Sequence, residues 1–107
     1  MFGRNRRDFE LSEPDIADAC CDFIANRLGC MPQDVLVQLT FSDEDGFGAE
    51  ITVRGIREKP MQQLDLIDAI QEYVADRDRF RGGDSGVTHV ELQFAEHRGV
   101  YAIVQFL

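Results

Sequence analysis

Apolar and polar positions along this chain follow two different periods, and each period occurs twice. In SEPDIADACCDFIANRLG, Ser12 to Gly29, the apolar residues Ile16, Cys20, Phe23 and Ile24 recur every three or four positions, the spacing that gathers side chains on one face of an amphipathic helix. Ser12 stands as an N-cap with Asp15 three residues on, Pro14 falls in the first turn where its missing N–H does no harm, and Gly29 closes the run as a left-handed cap. LDLIDAIQEYVADRD, Leu64 to Asp78, has the same helical period. Between the two, Val35, Val37, Leu39 and Phe41 alternate with more polar residues up to a glycine-bearing turn, and Ala49, Ile51 and Val53 alternate on the way back. That is a hairpin with one core-facing side. A second hairpin runs through Leu92, Phe94, Gly99, Ala102, Val104 and Phe106. The pattern predicts helices near residues 13–29 and 61–78, and strands near 35–42, 48–55, 87–94 and 100–106.

The two halves also match residue by residue. DIADACCDFIANR lies over DLIDAIQEYVADR at an offset of 50, with Asp15/Asp65, Asp18/Asp68, Ala19/Ala69, Ala25/Ala75 and Arg27/Arg77 identical. The hairpins match at an offset of 53, pairing Leu39 with Leu92, Phe41 with Phe94, Gly46 with Gly99 and Ala49 with Ala102. The three-residue difference falls in RFRGGDSG, Arg79 to Gly86, which is expected to be mobile. These matches predict an α+β two-layer sandwich: an αββαββ pseudo-repeat in which a four-stranded antiparallel sheet carries two helices on one face. The whole chain, 1–107, reads as a single domain with residues 1–10 as a flexible tail.

Composition narrows the function more than the fold. Twenty acidic against eleven basic residues leave a net charge of −9, a surface that repels a nucleic-acid backbone and suits solubility or a basic partner. The N-terminus MFGRNRRDFELS lacks the apolar run of a signal peptide, and no segment approaches the length of a membrane span; a cytoplasmic location is expected. The three cysteines, Cys20, Cys21 and Cys30, are odd in number and lack a C-x-x-C spacing, in keeping with a reducing compartment.

The conspicuous stretch LTFSDEDGFGAEITV, Leu39 to Val53, places Asp43, Glu44 and Asp45 before two glycines. As an EF-hand loop with Gly46 sixth it would need an oxygen ligand where Phe41 stands and a Glu where Thr52 stands. The second copy, AEHRG, has no such acids, so the common feature is the turn. Cys20 corresponds to Ile70 and Cys30 to Phe80, and both read as small core hydrophobes, while Cys21 corresponds to Gln71 on the flank. A catalytic thiol would need a base, and His89 and His97 show no pairing with a cysteine; zinc-ligand spacing is absent as well. Asp18, Asp22, Asp68 and Glu72 fall on polar or flanking helix sides, as solvated charges. No cofactor, metal or catalytic residue is expected, and the chain reads as a non-enzyme.

Two surfaces invite a binding role. Arg27 and Arg77 fall near the middle of their helices' apolar stripes in the last turn, where each either lays its stem on the core edge or joins the other in clamping an anion. In the last strand Tyr101, Ile103 and Leu107 point away from the helices, where polar residues belong. This reading makes the protein a protein-interaction or self-association module, a homodimer or the binder of a partner protein, with the outer sheet face or a C-terminal edge strand as the interface. The alternative is a sensor of a small anionic ligand near Arg27 and Arg77. Mimicry of nucleic acid would need carboxylates at phosphate-like spacing.

At DIADACCDFIANRLG, then VLVQLTFSDEDGFGAEITVRG, then LDLIDAIQEYVADR, the chain resembles the YxcD-like family of small uncharacterised bacterial proteins, over about Leu11 to Phe80 and most closely at DGFGAE, Asp45 to Glu50. The resemblance implies a bacterial cytoplasmic setting and assigns no activity and no functional residue.

Overall fold

A computed structural model describes residues 9–80 and 88–106 of the chain. Its elements run β1 (Phe9–Leu11), α1 (Glu13–Leu28), a 3-10 turn (Pro32–Asp34), β2 (Val35–Ser42), β3 (Gly46–Val53), β4 (Ile56–Met61), α2 (Gln63–Phe80), β5 (Thr88–Ala95) and β6 (Gly99–Phe106). Helix α1 begins and ends where its caps dictate. The Asp15 carboxylate accepts hydrogen bonds from the Ser12 N–H at 3.2 Å and hydroxyl at 3.0 Å, and Gly29 turns left-handed at φ 71° while its N–H donates to the Ala25 carbonyl. These contacts satisfy helix-end groups that would otherwise lack partners. At the head of α2 the Asp65 carboxylate accepts the Gln62 N–H in the same way, at 2.9 Å.

The strands correct the expected four-stranded sheet. There are six among the described residues, in two three-stranded antiparallel sheets ordered β1-β6-β5 and β2-β3-β4. Each added strand stands just before a helix: β1 lies on distant β6 with Leu11 opposite Ala102, and β4 lies on β3, the strand just before it, with Met61 opposite Ala49. Phe9 and Glu10, assigned from sequence to the flexible tail, belong to β1; residues 1–8 lie outside the described residues. Both strands escape a periodicity reading for a physical reason. β1 has only three residues, and IREKPM carries charges and a proline, which suit an edge strand, where ladder donors are needed on one side only. The turn into β4 is equally hidden. Arg54 and Gly55 form a two-residue loop with φ 51° and 83°, both positive as the tightest hairpin turns require, and the unusual arginine is held by Asp34, whose carbonyl accepts its N–H and whose carboxylate accepts its guanidinium, each at 3.0 Å.

A second correction concerns β6. It is the central strand of its sheet, between β1 and β5, and not a C-terminal edge. The Arg79–Gly86 loop falls mostly outside the described residues, at 81–87.

Helix α1 packs on β2 and β6, α2 packs on β3 and β5, and the helices pack on each other, so each helix bridges the two sheets. The core between them holds Ile16, Cys20, Leu66, Ile70, Ile51 and Val104, all fully buried. Positions fifty apart play equal parts: Leu11, Ile16, Ala19 and Cys20 are buried, and so are Met61, Leu66, Ala69 and Ile70. The core thins along β2 toward the hairpin tip. Val35 is buried, Val37 and Leu39 are half-buried, and Phe41, expected on the core-facing side, is exposed.

Candidate functional site

The residues singled out from sequence settle into ordinary structural surroundings. Asp43, Glu44 and Asp45 form the exposed β2–β3 turn, where the Asp45 N–H donates to the Ser42 hydroxyl at 2.9 Å. Among the described residues no group of three His, Cys, Asp or Glu side chains converges as metal ligands would. Asp18 and Asp22 lie on α1 beside Cys21 at a shallow groove of about 450 Å³ that Tyr73 and Val35 also line. Burial, and then the negative charge of Asp18 and Asp22, pushes the Cys21 thiol up, and its S–H donates to the Val35 carbonyl at 3.4 Å. A thiol held protonated in this way is a poor nucleophile. Cys20 is fully buried, and desolvation drives its pKa to about 12.

Arg27 is exposed and lies at the rim of the apolar stripe, not near its middle as the spacing suggests. Its guanidinium lies 3.4 Å over the Phe23 ring, donates to the Phe23 carbonyl at 3.3 Å and pairs with Glu72 of α2 at 3.1 Å. The stem thus covers the core edge while the charge meets carbonyls at the negative end of α1. The Arg77 side chain and Leu107 lie outside the described residues.

Tyr101 and Ile103 are half-buried on the face of β6 opposite its buried Val100, Ala102 and Val104. Their neighbours explain how apolar residues persist there. Ile103 lies between Glu10 of β1 and Glu91 of β5. The Arg98 guanidinium lies 3.7 Å over the Tyr101 ring and pairs with Glu10 at 2.9 Å, so one cation covers the ring and bridges to a carboxylate.

Apolar surface collects instead at the hairpin tips. Phe41 at the end of β2 stacks on Phe94 at the end of β5, with ring centroids 4.8 Å apart and planes 13° apart, and Phe47 leans on Phe41 at 4.6 Å. Offset-stacked rings at such distances attract, yet Phe41 remains 37% and Phe94 44% exposed. From Phe41 and Phe47 an open groove of about 820 Å³ runs between the β2–β3 hairpin and the β4–α2 junction, past Pro60 and Met61 to Leu64, which is 75% exposed. Asp45, Glu50 and Asp65 stand among its lining residues, with no lysine or arginine among the described residues that line it. Gly46, at φ 75°, takes the left-handed turn position at one end of the groove, beside the Gln63 side chain. Sequence reasoning missed this surface because alternation assigned Phe41 to the core. The one available signal was Phe47, a bulky ring between two turn glycines where burial is hard to arrange.

Among the described residues no helix is long and apolar enough to cross a membrane. Residues 7–97 match the family described as "Protein of unknown function (DUF2653)". An uncharacterised protein of Bacillus subtilis (strain 168), YxcD, is 34% identical over 95 residues, which cover 88% of this chain and 89% of the relative. No solved structure matches the chain.

Proposed function

The chain belongs to the DUF2653 family of proteins of unknown function, and from that premise we propose that it is a protein-interaction module, not an enzyme, whose recognition surface is the aromatic end of the molecule. The observation that carries this reading is the stacked pair Phe41 and Phe94, left more than one-third exposed and continuous with Leu64. Contiguous apolar surface of this kind marks a contact site in soluble proteins, and fully burying such a side chain is worth about 1.5–3 kcal/mol. Three partly exposed side chains supply only part of the cost of association, so the complex is a transient one. Tyr101 and Ile103 offer less, being half-buried beneath Arg98 and between carboxylates. The anionic-sensor reading has no comparable support, since the Arg27 guanidinium is already engaged by Glu72 and the Phe23 carbonyl.

The internal duplication is part of the proposal, supported by the equal burial of positions fifty apart and by β1 and β4 taking equivalent places on β6 and β3. The acidic surface and the family's bacterial relative fit a cytoplasmic protein.

The test replaces Phe94 and Leu64 with Lys in one variant; Leu64 is exposed and Phe94 gives up its stacking on Phe41, so the fold should persist with a modestly lower thermal midpoint. Light scattering at micromolar concentration, and affinity capture on immobilised chain, are compared between wild type and variant. Association that disappears in the variant is the expected result, whether as a species near twice 12.2 kDa or as a retained protein. Association unchanged by the variant, or none with wild type, overturns the reading.

A further inference from the structure

Strand β2 has one edge in a ladder and one outside it. Asp34 and Arg54 stand opposite each other one step before Val35 and Val53, and the Arg54 N–H donates to the Asp34 carbonyl at 3.0 Å. Bonded positions alternate along an antiparallel pair, so Leu36, Gln38 and Thr40 bond to β3 while the N–H and C=O groups of Val35, Val37 and Leu39 point the other way. The Cys21 thiol agrees with this direction, since it reaches the Val35 carbonyl from α1. Among the described residues β2 pairs with β3 alone, which leaves Val37 and Leu39 offering a row of backbone donors and acceptors.

The other sheet edges are defended and this one is not. β1 has only three residues, β4 carries Arg57, Glu58, Lys59 and Pro60 and a break in register, and β5 carries Glu91. Shortness, charge, proline and irregular register are the usual means of keeping an edge from accepting another strand. β2 reads VLVQLTFS, with no charge, no proline and an unbroken register. Its side chains are also less covered than their equivalents in the other hairpin. Val37 and Leu39 are half-buried, whereas Val90 and Leu92 at the matching positions are 6% and 8% exposed.

We propose that this edge takes an extended segment of a different protein as an added antiparallel strand, apolar at alternate positions and carrying lysine or arginine at both ends. The ladder to Val37 and Leu39 supplies affinity, and the alternate side chains that cover these two residues and end on the Phe41–Phe94 pair supply specificity. The charge of the segment follows from what stands at the two ends of β2. Asp18 and Asp22 line the groove of about 450 Å³ beside Val35, and Asp43, Glu44 and Asp45 follow Ser42. A second copy is the poorer occupant, because its own β2 is flanked by Asp34 and Asp43 and would bring carboxylates to carboxylates between chains of −9. The proposal rests on the interaction reading above and adds the form and charge of the partner.

The probe is acetyl-Lys-Val-Thr-Val-Thr-Val-Lys-amide, added to the ¹⁵N-labelled full chain while amide hydrogen exchange is followed by NMR. In the free chain the N–H groups of Val37 and Leu39 should exchange at least about tenfold faster than those of Leu36 and Gln38, which the ladder protects; with the peptide the difference should close. Methylating the valine nitrogens of the peptide should abolish the effect, since those N–H groups face β2, and Glu in place of both Lys should weaken binding at least about tenfold. Slow exchange at Val37 and Leu39 in the free chain would mean a closed edge and overturns the proposal, as does equal binding of the methylated or the Glu peptide. So does protection of these amides that rises with the chain's own concentration and no peptide, which would give the edge to a second copy. If capture still depends on Phe94 and Leu64 while the peptide leaves these amides fast, the interaction reading stands and this one falls.

Discussion

Cys20 shows what one residue can and cannot do in this protein. Sequence pairs it with Ile70, and the structure buries both completely. Desolvation, with a smaller contribution from Cys21, pushes the thiol up to about 12, well above the ordinary value near 8.5. Because its folded pKa is raised, the stabilisation it gives is fully present below the unfolded pKa and is lost as pH rises from about 8.5 toward 12. At pH 8 almost no thiolate exists at this position, and the sulfur is out of reach of solvent. In a native-state labelling experiment with a thiol reagent at pH 8, followed by mass spectrometry of peptides, Cys30 should react first and Cys20 only when urea unfolds the chain. Labelling of Cys20 in the native protein as fast as Cys30 would contradict the packing described for it.

At the scale of elements, the β3–β4 hairpin depends on a contact outside the hairpin. Arg54 takes a left-handed φ that costs a non-glycine residue about 1 kcal/mol or more. Asp34, at the entrance to β2, offsets this by accepting both its N–H and its guanidinium. The Arg54 guanidinium, and secondarily the Met31 N–H, hold the Asp34 carboxyl below the usual carboxylate range. With a depressed folded pKa, its contribution to stability is present above the unfolded value near 3.9 and is lost as pH falls through the folded one. Asp34→Asn should therefore lower the urea midpoint at pH 7 and have a smaller effect at pH 3, where wild type has lost part of the same contact. An equal difference at both pH values would show that the carboxylate charge is not what anchors the turn.

At the scale of the molecule, two three-stranded sheets are tied together by exchange. Each half's first strand completes the other half's sheet, and each helix spans both. Leu11 and Met61 sit at the equivalent points of that exchange, 7% and 4% exposed. Leu11→Ala and Met61→Ala should each cost about 2–5 kcal/mol, the usual range for such core truncations. Urea unfolding should remain a single transition in both variants, because neither sheet is complete without the other half. A variant that splits into two transitions would show that the halves fold independently.

Local rules were enough for much of this architecture. The helix bounds follow from Ser12, Pro14 and Gly29, and the two long hairpins follow from period-two alternation around Gly46 and Gly99, because caps, turns and amphipathic faces depend on residues close in the chain. The core assignments of Ile16, Cys20, Ala49, Ile51 and Val104 were legible for the same reason. Strands β1 and β4 were not. FEL and IREKPM have little pattern of their own; FEL becomes a strand only because β6, far along the chain, offers it a backbone partner, and IREKPM because β3, joined to it by a two-residue turn, does. The aromatic end was hidden by distance along the chain, as β1 was. Alternation can say which side of β2 Phe41 is on, but only the packing of two hairpin tips that are far apart in sequence decides that the core has run out by the time the strand reaches it, leaving Phe41 stacked on Phe94 in water.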